Sequence, residues 1–212
     1  MALKGTGSEL ESAVQKLREA ARRDGLIDEA AQVVRSDTRQ LASDFHHGVI
    51  TIDTPRTQGA SGQINEVERA ALSGTEIRRA SGFCTVIASS LDGEPLGRSQ
   101  RILLTVVGDA ANTDEVAIID RHELANVPSK GRFHPSKYTF NANRAGRKPM
   151  VAEPVAATLA IRREAGAKAL RCQGLDTAGR ATGQVPVRLD GQWAEISLDA
   201  RHRSIYFLLS SE

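Results

Sequence analysis

Apolar positions along the chain fall into two textures. Over residues 8–34 they follow a helical period: Leu10, Val14, Leu17 and Ala21 are spaced by three and four and form one stripe. Ser8 is a good N-cap, and Glu11 three residues later completes a capping-box pattern. Asp24-Gly25 ends this helix, with Arg22 and Arg23 in its last turn, where cations suit the helix dipole. Residues 26–34 are expected to form a second short helix. The stripe needs a cover, either the domain that follows or a neighbour.

After Arg35 the period shortens. Candidate strands of four to eight residues run at 40–43, 49–53, 76–79, 83–89, 101–107, 116–119, 138–141, 155–162, 169–175, 184–188, 193–198 and 204–209. Between them stand turn pairs: His47-Gly48, Ser73-Gly74, Asp92-Gly93, Ala178-Gly179 and Asp190-Gly191. Asp190-Gly191 joins two alternating runs and reads as a hairpin turn. About a dozen short strands with no helix among them predict a mainly β chain. The expected fold is an antiparallel β-sandwich, jelly-roll or Ig-like, with an N-terminal helical segment. Residues 1–34 form that segment or a linker, and 35–212 form the sandwich, with a long excursion at about 110–149. Within it, 121–149 has little periodicity and three prolines, Pro128, Pro135 and Pro149. Function often sits on such excursions.

Composition narrows the class. The 212 residues hold 28 Lys and Arg against 26 Asp and Glu, a formal net charge of +2. Apolar residues make 40% and aromatics only 4%, so the core must be mostly Val, Ile, Leu and Ala. The arginine pairs Arg22-Arg23, Arg78-Arg79 and Arg162-Arg163 are scattered and neighbour acids, so they read as solvated faces. A nucleic-acid partner would want a concentrated basic stripe with stacking aromatics, and none is expected. No apolar run reaches membrane-spanning length, so no membrane partner is expected either. Cys84 and Cys172 lie in apolar runs without CxxC spacing or a nearby His, which excludes a metal or redox motif. They read as buried thiols, or as a single disulfide if their strands adjoin. The first residues lack a signal peptide's apolar centre. Either the protein is cytoplasmic or the chain is a piece of a longer secreted one.

Candidate chemistry is thin. Asp53 and Arg56 follow the strand at 49–53 and can form a structural ion pair or hold a polar ligand such as a sugar hydroxyl. Pro55 halts pairing, and Asp53, Thr54 and Thr57 can bond local backbone in a turn. His46 and His47 point apart on a strand, and His122, Glu123 and His134 lack zinc spacing, so no metal is expected. His202 between two arginines belongs to a turn. Asp92 and Glu94 in a Gly/Pro turn read as water-facing rather than as a hydrolytic pair. Ser89-Ser90 lacks a nucleophile elbow, and Gly5-Thr6-Gly7 lacks a P-loop lysine. No cofactor is called for. Sugar-binding modules stack a pyranose on Trp or Tyr. Trp193 heads a strand and can be core or rim, and Tyr138 lies in the excursion. Trp193, Tyr138, Asp53 and Arg56 are therefore the candidate carbohydrate-binding residues.

Specific residues then carry a resemblance. Residues 35–41 (RSDTRQL) and 48–59 (GVITIDTPRTQG) resemble the opening of a non-catalytic β-sandwich module. That module lies C-terminal to the barrel of large bacterial glycoside hydrolases of agarase- and β-galactosidase-like type. FCTVIASSLDGEPL at 83–96, SQRILLTVVG at 99–108, Asn112-Thr113, VAEPV at 151–155, LDTAGR at 175–180, QVPV at 184–187 and Trp193 follow in the same order. The resemblance spans about 35–210. It implies a chain that is itself non-catalytic and accessory to a carbohydrate-active enzyme, in a structural or carbohydrate-binding role. Its partners would be a catalytic barrel domain and polysaccharide, and its location secreted or periplasmic as part of a larger protein. No (β/α)₈ barrel lies in this chain, so the barrel's catalytic carboxylates are not carried over. Beyond Asn112-Thr113, the segment 110–149 matches nothing in the module. The alternative expectation is a small stand-alone polysaccharide hydrolase or lyase acting from 121–149 through His122, Glu123, His134 or Tyr138.

Overall fold

The computed structural model describes residues 7–66, 70–114, 116–120, 139–144, 146–153 and 155–211. Its elements in chain order are α1 (Gly7–Arg23), β1 (Ile27–Asp28), β2 (Val33–Arg35), β3 (Leu41–Asp44), β4 (Val49–Asp53) and β5 (Thr57–Gln63). There follow β6 (Ala70–Ala71), β7 (Thr75–Ala80), β8 (Phe83–Ser90), β9 (Arg101–Val107), β10 (Ala110–Thr113), β11 (Val116–Asp120) and β12 (Thr139–Arg144). The last are β13 (Arg147–Ala152), β14 (Ala157–Arg162), β15 (Arg171–Leu175), β16 (Ala181–Val185), β17 (Val187–Asp190), β18 (Trp193–Leu198) and β19 (Tyr206–Ser210). The chain divides into two compact units. Asp109–Glu153 is one, built of two antiparallel pairs, β10 with β13 and β11 with β12. The rest of the chain is the other and holds the sandwich.

Helix α1 ends where Asp24-Gly25 predicts. Gly25 takes a left-handed φ of +68° and donates its N–H to Arg22, while the Leu26 N–H returns to Ala21. The expected helix over 26–34 is instead a β-hairpin, in which Ile27 and Asp28 pair with Val34 and Val33. Asp28 accepts the Ala31 N–H at 3.0 Å and turns the chain, and Gln32 sits at φ +55°. Val33 and Val34 are β-branched, and β2 extends onto β3, so sheet pairing overrides the weak helical pattern. The apolar stripe of α1 does not pack on the domain that follows: Leu10, Val14 and Leu17 are exposed.

The sandwich is two antiparallel sheets. The larger runs β1-β2-β3-β4-β5-β8-β9-β19-β15-β16 and the smaller β17-β18-β14-β7-β6. Alternate residues face inward, as a period of two requires. Cys84, Val86 and Ala88 of β8, Ile102, Leu104 and Val106 of β9, and Phe207 and Leu209 of β19 line one wall. Ala157, Leu159 and Ile161 of β14 and Ala194, Ile196 and Leu198 of β18 line the other. Each large aliphatic buried this way stabilises the fold by about 1.5–3 kcal/mol.

Several strands depart from expectation for reasons of packing. The seven-residue β5, Thr57–Gln63, reads TQGASGQ and has no apolar rhythm, yet it pairs with both β4 and β8. A Cβ on Gly59 would come within 2.3 Å of the Val86 carbonyl oxygen, so glycine alone fits there. The run expected as one strand at 184–188 is two. Pro186 separates β16 on the edge of the large sheet from β17 on the edge of the small one. Proline has no N–H for a ladder, so it suits the point where the chain changes sheets. Cys84 on β8 and Cys172 on β15 are free and buried, with β9 and β19 between their strands. Three strand spacings make about 14 Å, twice what a disulfide spans.

Candidate functional site: a cavity at one end of the sandwich

The ends of β4, β8, β14 and β17 and the starts of β5, β7, β9 and β18 lie at one end of the sandwich. Their loops are laced together by backbone. Leu96 donates to the Pro55 carbonyl at 2.8 Å, Glu164 to Gly97 at 3.0 Å, Arg162 to Gly74 at 2.8 Å and Arg163 to Gln192 at 2.6 Å. They enclose a cavity of about 600 Å³, with Gln58, Ser73, Arg162, Arg163, Glu164 and Gln192 as its polar walls. Pro55, Pro95 and Leu96 add apolar surface.

The wall at Gln58 is preorganised. Gln58 is buried; its Nε2 donates to Ser73 Oγ at 2.7 Å and its Oε1 accepts the Gly74 N–H at 3.2 Å. Ser73 passes the chain on, its Oγ donating to Asp53 Oδ1 at 2.6 Å and its N–H to Asp53 Oδ2 at 3.0 Å. Asp53, singled out from sequence, thus stands behind the cavity wall and orients Ser73. Its carboxylate is taken by Ser73, not by Arg56. Arg56 is exposed, and its carbonyl accepts the Ser90 N–H.

Arg163 forms the base. It is only 8% exposed, and its two terminal nitrogens donate to the carbonyls of Leu96 at 2.6 Å and Ser99 at 2.8 Å. Its Nε is buried with no acceptor. Burial lowers its pKa, against the opposing pull of Asp92 and Glu164, but a guanidinium keeps its proton throughout the ordinary pH range. Reading Arg162-Arg163 as a solvated pair holds for Arg162 alone. The parity of β14 carried the missing sign: inward positions 157, 159 and 161 continue to 163.

Asp92 is not simply water-facing. It accepts from Gln100 N at 2.7 Å, Ser99 Oγ at 2.8 Å, Ser90 Oγ at 2.9 Å and Glu94 N at 3.3 Å. Burial pushes its pKa up, and these hydrogen bonds outweigh that and hold the carboxyl well below its usual range. Asp92 thereby shapes the loop that presents Pro95, Leu96 and Gly97 to the cavity. Glu94 and Glu164 are exposed and pair with Arg98 at 3.6 and 3.8 Å.

Trp193 lies apart from this wall. It alternates with the core residues Ala194 and Ile196 and so faces outward from the small sheet, half-buried. The Arg78 guanidinium sits over its ring, 5.9 Å from the centroid. Arg78 is held there by Glu76 and Glu195, which flank Ala160 on neighbouring strands. This ring face is occupied by protein. Tyr138, with His122, Glu123 and His134, lies outside the described residues. His47 binds Asp44 Oδ2 at 2.7 Å, and His202 closes a capping box with Asp199, so both have structural partners. Among the described residues no group of three His, Cys, Asp or Glu could hold a metal.

The arrangement can hold a polar molecule of a few rings' size, offering it an amide that both donates and accepts, a hydroxyl and two guanidinium groups. Comparison with protein-family models, curated proteins and solved structures finds no match.

Proposed function

We propose that this chain is a non-catalytic accessory β-sandwich module that works beside a carbohydrate-active catalytic domain, such as a glycoside hydrolase barrel, and binds saccharide in the end cavity. The observation that carries the reading is the composition and rigidity of the cavity wall. Gln58, Ser73, Arg162 and Gln192 supply the neutral and charged donors and acceptors that sugar hydroxyls require, on strand ends fixed by backbone hydrogen bonds. Pro55, Pro95 and Leu96 offer apolar surface for a ring's C–H face. The carboxylates of Asp53 and Asp92 on the framing loops are engaged as structural acceptors, which suits holding a ligand more than transforming it. Affinity electrophoresis of the full chain through agarose, galactan and other plant and marine polysaccharides tests this. Retardation by at least one glycan is expected, weakened by Gln192→Ala. Unretarded migration with every glycan removes the binding role.

A further inference from the structure

We infer that the end cavity is selective for an anionic saccharide, whose carboxylate or sulfate group seats against Arg163 and Arg162. The inference rests on the binding reading above and adds the charge of the ligand. Arg163 brings a full positive charge into a site where it is nine-tenths buried, and spends only two of its five N–H donors. Those two go to neutral carbonyls, so no carboxylate bonds it directly, and Asp92 and Glu164 act on its charge only from a distance. Its buried Nε has no acceptor at all. Arg162, the next residue, lines the same cavity, and its Nε has only the Gln192 amide oxygen at 3.3 Å. Among the described residues neither guanidinium forms an ion pair. The single acid on the wall, Glu164, leans to Arg98. The lining therefore carries a surplus of positive charge with unused donors.

A buried cation that no carboxylate bonds is costly, and an incoming anion relieves that cost while forming charge-assisted hydrogen bonds. A neutral sugar supplies hydroxyl acceptors but no countercharge. The planar guanidinium matches the oxygen pair of a carboxylate or sulfate, which a lysine in its place would not.

The test is calorimetric titration of the full chain with pairs of ligands that differ in charge alone. One pair is an oligogalacturonate and its fully methyl-esterified form. The other is a sulfated galactan oligosaccharide and its desulfated form. At low salt the charged member of at least one pair is expected to bind roughly tenfold or more tightly than its neutral twin. The advantage shrinks as salt rises to physiological strength. Which pair shows it identifies the anionic group. Arg162→Gln, at an exposed position, should reduce the advantage several-fold, and Arg163→Lys, which keeps the charge but loses the fork, should reduce it with the fold intact by circular dichroism. Equal affinity for charged and neutral twins overturns the inference and leaves the module reading standing. So does a preference that both variants leave unchanged. No binding by any of the four ligands overturns the inference, and the binding reading then stands or falls on the polysaccharide gels.

Discussion

Replacing Arg163 by Met keeps a long unbranched side chain at the base of the cavity and removes every donor. In the native chain Arg163 supplies hydrogen bonds of 2.6 and 2.8 Å to the carbonyls of Leu96 and Ser99, both residues at most 2% exposed. Leaving a buried acceptor unsatisfied costs about 1–3 kcal/mol, so two of them cost about 2–6 kcal/mol. Against this, Met brings no charge to desolvate and no orphaned Nε, a gain of about 1–3 kcal/mol. The net expectation is a loss of about 2 kcal/mol, a sizeable part of the 5–15 kcal/mol typical of a domain. Urea unfolding at neutral pH, followed by far-ultraviolet circular dichroism and by Trp193 fluorescence, reads it as a lower midpoint with unchanged slope. Thermal unfolding should fall by about 4–8 °C. A midpoint equal to or above that of the native chain refutes the reasoning. It would mean that the desolvation of the guanidinium outweighs its bonds, and that the loop at 96–99 holds its shape without the clamp.

The Asp92 carboxyl is depressed below its ordinary 3.8 in the folded chain, so its stabilisation is full above that value and lost as pH falls through it. Asp92→Asn should cost about 1–2 kcal/mol at neutral pH, with the gap to the native chain closing below about pH 4 in urea midpoints; a gap constant with pH counts against this. Gly59→Ala drives a Cβ to 2.3 Å from the Val86 carbonyl oxygen and 2.7 Å from Ile87 Cα, both backbone. β5 and β8 must part, so little folded protein should be recovered, and a variant that unfolds within about 1 kcal/mol of the native chain contradicts the close approach. Burial pushes the Cys172 thiol up to about 12 and raises that of Cys84. Both should resist a thiol reagent in the native chain and react as two free thiols after denaturation; a single disulfide would show as none.

Much of the strand layout was legible along the chain, because a half-buried strand writes its burial into alternation. β4, β9 and β18 stand where that alternation placed them, at Val49–Asp53, Arg101–Val107 and Trp193–Leu198. Alternation is a local property, set by the pleat, and it also carried the inward parity of Arg163. The end of α1 was legible for a similar reason: a left-handed residue is needed there, and Gly25 supplies it. Three things were decided only by tertiary structure. β5 is a strand because β4 and β8 close on it from both sides and demand small side chains, a requirement that a run of Gly, Ala and Ser does not announce. The chain at Val33–Arg35 joins β3 because a sheet edge offers hydrogen bonds that outweigh the propensity of a short helix. The cavity itself joins Gln58, Ser73, Leu96, Arg163 and Gln192, residues far apart in sequence, and it exists because the strand order of the two sheets brings their loops to one end. Alternation tells which way a side chain points from its own strand. Which strands stand beside it depends on long-range pairing, and that pairing set the neighbours of Arg163.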